Sequence, residues 1–122
     1  MHLKFKHLLE IAEKLRAECP WDKKQTLKSL LPHLIEECEE VKEAIESGKS
    51  EDIADEMGDV LFTMLLMAQI ASETNDFDMG TILEASAAKM ISRHSWVFGT
   101  DEASTPEEAT ELWLKNKAKE KK

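Results

Sequence analysis

Between Glu36 and Asp59 the chain repeats one arrangement on either side of a break. Glu36-Glu37-x-x-Glu40 comes first, Ser47-Gly48-Lys49-Ser50 interrupts, and Glu56-x-x-Asp59 follows. Residues three apart are neighbours on a helix surface, so each half presents an acidic pair on one side. Two helices joined by so short a polar turn lie antiparallel, which brings four carboxylates together. Carboxylates packed that closely repel one another unless a positive charge sits between them. A hard divalent cation such as Mg²⁺ fits, because it takes oxygen ligands and usually shares them with phosphate.

The surrounding sequence is that of an all-α domain. Its 122 residues include only four Gly and three Pro, while helix-forming Leu, Ala, Glu and Lys are common. No useful length alternates as a strand would. The length suits a single domain, 1–122, with one core. A first amphipathic helix over about 3–18 puts Leu8, Ile11, Ala12 and Leu15 on one face. Pro20 ends it and opens a loop from Cys19 to Gln25, after which Thr26 caps the next helix. That second helix, about 27–47, carries the clearest stripe: Leu27, Leu31, Leu34, Cys38, Val41 and Ile45. Glu37 and Glu40 fall on its flank, roughly 80° and 140° from the centre.

Gly48 stops the second helix and Ser50 caps the third, about 51–73. Val60 to Ala71 is apolar nearly all round, which predicts burial at the centre of a bundle and partly in a subunit interface. On the stripe Ile53, Met57, Val60 and Met64, Glu56 and Asp59 take the flank matching Glu37 and Glu40. A fourth helix spans about 79–94, with Asp78 as its cap and Ile82, Leu83, Ala87, Met90 and Ile91 inward. Residues 95–104 read as irregular. Thr105-Pro106-Glu107-Glu108 then starts a last helix through a capping pair and a first-turn proline. It carries Leu112 and Trp113 and frays from about residue 116 into a mobile basic tail.

Charge and cysteine usage limit the function. A net charge of −9 argues against polynucleotides and anionic membranes as partners. The longest apolar run is shorter than the roughly 20 residues that span a bilayer. Met1 to Glu10 lacks the pattern of a signal peptide, and Cys19 and Cys38 form neither a disulfide framework nor a metal motif. A reducing cytoplasmic setting is expected. The four histidines have no ligand spacing, so no metal role is assigned to them.

Several motifs stand out together: Leu15-Arg16, Cys19-Pro20-Trp21-Asp22, Gln25-Thr26, Leu34-Ile35-Glu36-Glu37-x-x-Glu40 and Asp55-Glu56-x-Gly58-Asp59. Phe77-Asp78, Lys89, Arg93-His94 and Val97-Phe98-Gly99 follow them. Over most of the chain these resemble the MazG-type nucleoside triphosphate pyrophosphohydrolases. The resemblance implies an all-α fold on a four-helix-bundle core with an added helix, assembled as a homodimer or dimer of dimers. It implies hydrolysis of NTPs or dNTPs to monophosphate and pyrophosphate with Mg²⁺, or Mn²⁺ in its place. Glu37, Glu40, Glu56 and Asp59 would be the metal ligands, and Lys89, Arg93, Trp113 and Lys117 would contact substrate. Two positions depart from the pattern: Leu27 stands where many relatives have His, and Ser95-Trp96 replaces a common Pro-His.

The residues allow roles to be weighed. Glu36 or Glu40 is the candidate proton acceptor. Lys89 and Arg93, four apart, share a face suited to phosphate, and Trp113 with Lys117 has the same spacing. Trp21 is a further candidate for the base pocket. A solvated acidic face and a core-anchoring Trp113 are the ordinary alternatives. Two other functions remain open: the same fold with a narrow substrate (dUTP, dCTP or a phosphoribosyl-nucleotide), or a non-catalytic acidic helical adaptor.

Overall fold

Helices form where capping and periodicity call for them. The structure is a computed structural model describing residues 1–120. Its helices are α1 (His2–Glu18), α2 (Pro20–Lys24), α3 (Leu27–Ser47), α4 (Ser50–Glu73), α5 (Met79–Arg93), α6 (Ser95–Phe98) and α7 (Pro106–Glu120). The described residues contain no strand, so the chain is all-α as expected. They fall into two units, Met1–Met79 and Gly80–Lys122. No described helix is long and apolar enough to cross a membrane.

In the first unit, α3 and α4 pair as a hairpin, α1 packs on α4, and α2 packs on α1. A reciprocal cap starts α3: the Ser29 N–H donates to Thr26 Oγ1 at 3.0 Å, and the Thr26 N–H donates to Ser29 Oγ at 2.8 Å. Gly48 ends α3 at φ 76°, a left-handed turn that an L side chain would strain. Ser50 is already the first residue of α4, not its cap. Lys49 holds the cap position without a side-chain bond, and Glu51 and Asp52 meet the positive helix end.

The expected loop after α1 is instead the short helix α2. Pro20 at its start loses nothing by lacking an N–H, and its fixed φ suits a first turn. Arg16 holds this turn in place. Its Nη1 donates to the carbonyls of Asp22, Lys23 and Gln25 at 2.6, 3.0 and 2.9 Å. Nε and Nη2 reach Glu73 at 2.8 and 3.1 Å. One guanidinium therefore joins the ends of α1, α2 and α4, a task for a planar fork that lysine could not perform.

The inward faces are set one column away from the expected stripes. On α3, Leu30 and Ala44 are buried and Leu34, Glu37 and Val41 half-buried, whereas Leu27, Leu31, Cys38 and Ile45 are exposed. The spacing 30, 34, 37, 41, 44 is as regular as the expected one, but it includes a glutamate that hydrophobic periodicity skips. On α4 the same shift buries Thr63 and half-buries Ile53, Glu56 and Val60, leaving Met57 and Met64 exposed. The Thr63 hydroxyl is satisfied by the Asp59 carbonyl at 3.0 Å. Leu65, Leu66, Ala68 and Ala71 are buried as predicted, but Leu61 is 45% exposed, so the apolar segment is not enclosed on every side. Cys38, Val41, Met57, Val60, Leu61 and Met64 line an apolar groove along this outer side of the hairpin.

In the second unit, residues 95–98 form α6 and pack against α7. None of α5 is fully buried: Ile82 is half-buried, and Leu83, Ala87, Met90 and Ile91 are exposed. The Glu108 N–H donates to Thr105 Oγ1 at 3.2 Å, while the Glu108 carboxylate accepts from the Ser104 N–H at 3.3 Å rather than from Thr105. The expected fraying from residue 116 does not occur, since α7 continues to Glu120 and Asn116 is buried. Lys121 and Lys122, also part of that expected tail, lie outside the described residues.

Leu65 is 1% exposed and lies where α4 is most enclosed. Leu65→Ala should cost about 3 kcal/mol through lost burial and the cavity left behind. Leu3→Ala on exposed α1 should cost less than about 0.5 kcal/mol. Urea titration of both variants, with slopes unchanged, checks this; equal losses would place the core elsewhere.

Candidate metal centre

The α3–α4 hairpin carries out what its sequence spacing suggested. One carboxylate oxygen each from Glu37, Glu40, Glu56 and Asp59 lies within 4.8 Å of the others. Each helix supplies two acids one turn apart, and the antiparallel pairing sets the two pairs face to face. Glu37 and Glu56 belong to the inward faces and are half-buried; Glu40 and Asp59 stand at the exposed rim. Beside them lies a polar hollow lined by Glu40, Glu43, Ala44, Ser47, Asp52 and Glu56.

The charges are poorly compensated within the chain. Glu37 Oε1 pairs with His33 Nε2 at 3.0 Å, one turn back on α3. Glu37 Oε2 and Glu56 Oε2 are buried without a hydrogen-bond partner. Burial pushes the Glu37 carboxyl above its usual range, Asp59 and Glu40 add to the rise, and His33 opposes it. Glu56 is pushed up to about 7, first by hydrogen bonding to the Glu40 carboxyl, then by burial and the charges of Glu40, Asp59 and Asp55. A buried acceptor without a donor carries an unrepaid desolvation cost.

A divalent cation suits this set. The donors are all carboxylate oxygens, the kind hard cations select, and oxygens sharing one such ion lie up to about 4–5 Å apart. The two orphaned oxygens are the acceptors such an ion would satisfy. Glu37, Glu40, Glu56 and Asp59 are therefore the residues positioned to hold it.

The other candidates fall in different places. Glu36 is exposed and is not one of the four clustered acids. Trp21, 53% exposed, meets His33 edge to face with ring centroids 6.0 Å apart, so it lies two contacts from Glu37. Sequence reasoning gave His33 no role, although its spacing of four from Glu37 was a readable signal.

In the second unit, Arg93 and Lys117 both approach the Trp113 ring, at 5.3 and 5.0 Å from its centroid. Arg93 Nε donates to Glu120 at 2.8 Å. Lys89 is exposed, and its charge helps hold the Glu120 carboxyl below its usual range, after the hydrogen bond from Arg93. The Asn116 amide donates to the Arg93 carbonyl at 3.2 Å and to Ser95 Oγ at 2.8 Å. Ser95, one of the departures noted above, also donates to Asp101 at 2.7 Å. Asn116 and Glu120 were missed because their segment read as a fraying tail.

An all-α chain with four clustered carboxylates in a helical hairpin defines a class of acid-lined, cation-suited helical proteins. Comparison narrows it. The model of the MazG nucleotide pyrophosphohydrolase domain matches residues 25–98. The chain is 41% identical over 119 residues to the nucleoside triphosphate pyrophosphohydrolase/pyrophosphatase MazG of Thermotoga maritima, covering 96% of this chain and 45% of that protein. It is 37% identical over 117 residues to the nucleoside triphosphate pyrophosphohydrolase of Escherichia coli, covering 93% and 44%. The crystal structure of a mazG-related protein from Thermotoga maritima aligns with TM-score 0.79 and 32% identity, over 93% of this chain and 98% of that one. The chain belongs to the MazG nucleotide pyrophosphohydrolase family. It spans a little under half the length of these curated relatives.

The raised carboxyl of Glu56 carries a pH signature. Folded, it holds a proton up to about 7, against 4.5 ordinarily. Its stabilising contribution is thus full below the lower value and lost as pH rises through the upper one; Glu37 acts in the same sense. The melting temperature of metal-free protein should contain a falling component from about pH 5 to 8, steeper than in Glu56→Gln. Because protons and cation compete for the same oxygens, Mg²⁺ should raise it more at the upper pH. Scanning calorimetry checks this; Mg²⁺ shifts independent of pH would detach the ion from these carboxylates.

Proposed function

We propose that residues 1–122 act as one MazG-type domain that hydrolyses nucleoside triphosphates, NTP or dNTP, to the monophosphate and pyrophosphate. The cation would be Mg²⁺, with Mn²⁺ able to replace it, and the role would be removal of unwanted nucleotides. The observation carrying this reading is the convergence of Glu37, Glu40, Glu56 and Asp59 in a MazG-family chain.

Those four side chains would hold the cation. When bound, it supplies positive charge to phosphate oxygens and acidity to a water molecule. In the reaction, a water oxygen bonds to the α-phosphorus, the bond from that phosphorus to the α,β-bridging oxygen breaks, and pyrophosphate departs with that oxygen. The proton lost by the water passes to a carboxylate. Glu40, at the exposed rim of the cluster, and Glu36, exposed on α3, are the two acids assigned to the step. Lys89, Arg93 and Lys117 are assigned to the phosphates and Trp113 and Trp21 to the base, by charge and stacking. Phosphoryl transfer depends mainly on positioning and charge stabilisation, which clustered carboxylates holding a cation can supply.

The proposed partner is a second copy of this chain, giving a homodimer or dimer of dimers. The exposed apolar side chains Leu31, Ile35, Ile45, Met57, Leu61 and Met64 on α3 and α4 support it, since an isolated chain gains nothing from leaving them in water. Sedimentation should detect an oligomer that Met64→Glu dissociates; a wild-type monomer at high concentration would refute this partner.

A nucleotide panel with Mg²⁺ should yield pyrophosphate before any orthophosphate. Glu40→Gln and Asp59→Asn should each lower turnover at least about a hundredfold. Neither should lower the metal-free melting temperature, since each removes one of several repelling charges. Near-normal rates in either variant would overturn the ligand assignment, orthophosphate as first product would exclude attack at the α-phosphorus, and an inert panel would favour the adaptor.

A further inference from the structure

One side of α7 carries Trp113, Asn116, Lys117 and Glu120, spaced i, i+3, i+4 and i+7, which lines them up on one helix face. Three of them contact the C-terminal end of α5 through Arg93. Trp113 lies beneath its guanidinium, Asn116 Nδ2 donates to its carbonyl at 3.2 Å, and Glu120 accepts from its Nε at 2.8 Å. The Arg93 and Glu120 side chains are 15% and 26% exposed. The fourth, Lys117, sits over the same indole ring as Arg93.

Arginine has several rotatable bonds, and immobilising such a side chain when a ligand arrives costs binding energy. Here Arg93 is restrained before any ligand arrives. The Trp113 ring centroid lies 5.3 Å from its guanidinium carbon, Asn116 ties its backbone to α7, and Glu120 holds its Nε. Glu120 takes one of five N–H donors, so the fork keeps donors for a phosphate. A carboxylate among Arg93, Lys89 and Lys117 also offsets the mutual repulsion that three cations would otherwise feel without substrate.

We infer that Glu120 is a positioning residue: it orients the Arg93 guanidinium on Trp113 so that the arginine meets the substrate's phosphates preformed. This rests on the assignment of Arg93 to phosphate under the proposed function. Glu120 touches no reacting atom and acts through Arg93 alone. The hydrogen bond from Arg93, then its charge, the Ser92 hydroxyl and Lys89, hold the Glu120 carboxyl below its usual range against the opposing effect of desolvation, so it is ionised at neutral pH.

Calorimetric titration of the full chain with α,β-methylene-ATP in Mg²⁺, whose α,β bridge resists hydrolysis, tests this beside ATP kinetics. Glu120→Ala should weaken binding about two- to tenfold, the cost of ordering one long side chain. KM should rise in proportion while kcat holds. Glu120→Gln, which keeps an acceptor oxygen for Nε, should recover most of the affinity. In an Arg93→Ala background, Glu120→Ala should change nothing further. Tighter binding by Glu120→Ala would overturn the inference and make Glu120 an internal competitor for the phosphate site. Unchanged binding by Glu120→Ala, with Arg93→Ala weak, would refute the positioning role alone. Unchanged binding by Arg93→Ala would refute the phosphate assignment itself, and the inference with it. Should Glu120→Ala melt early, Glu120→Gln and the Arg93→Ala double variant still separate these outcomes.

Discussion

Four acids are pressed together in the seam of a hairpin, and their mutual repulsion is the constraint around which the first unit is built. Nothing in the acids themselves favours this arrangement. Apolar packing imposes it: Ala12 on α1, Leu30 on α3 and Leu65 and Leu66 on α4 are buried, and α4 packs on both α1 and α3. Each buried leucine contributes about 1.5–3 kcal/mol relative to exposure. Like charges on neighbouring helix positions cost only a few tenths of a kcal/mol per pair when exposed, and more as water is withdrawn. Packing therefore wins, and the residual strain surfaces as raised carboxyl pKa values and two orphaned oxygens. Such stored repulsion is the usual signature of a functional site that trades stability for activity.

The second unit handles charge in the opposite sense. Arg93 and Lys117 share one indole ring, and Glu120 closes the set from the last turn of α7. Cations are gathered on an aromatic surface, and an internal acid offsets their mutual repulsion. The family-model match ends at residue 98, before α7. The curated relatives nevertheless align over more than nine-tenths of the chain, so the alignments reach into α7.

Much of this was legible beforehand, and the errors have specific causes. Caps and stops at Thr26, Gly48 and Pro106 are local chemistry, acting through one or two hydrogen bonds or a single φ angle, and their positions hold. The α3 stripe was misplaced by one column because hydrophobic periodicity counts apolar residues alone. The true inward face includes Glu37, which no apolar pattern would select, and leaves Cys38 and Ile45 outside. His33 escaped notice because its partner is a carboxylate, not a metal. The turn after Cys19 looked like a loop because the helix there is one turn long and depends on Arg16, whose carbonyl partners lie six to nine residues away. The charged end of α7 looked like a tail because Asn116 and Glu120 become informative only when Arg93 is beside them.

The sequence alone determined the five longer helices, the turn between α3 and α4, and the convergence of two acidic pairs, because helical spacing and a short turn are enough to dictate all three. Tertiary structure decided which face of each helix turned inward, and hence that Glu37 and Glu56 went into the seam while Glu40 and Asp59 stayed at its rim. It also decided that Arg93 acquired a ring, an amide and a carboxylate from α7. Those outcomes depend on contacts between residues distant in the chain, and no local propensity encodes them.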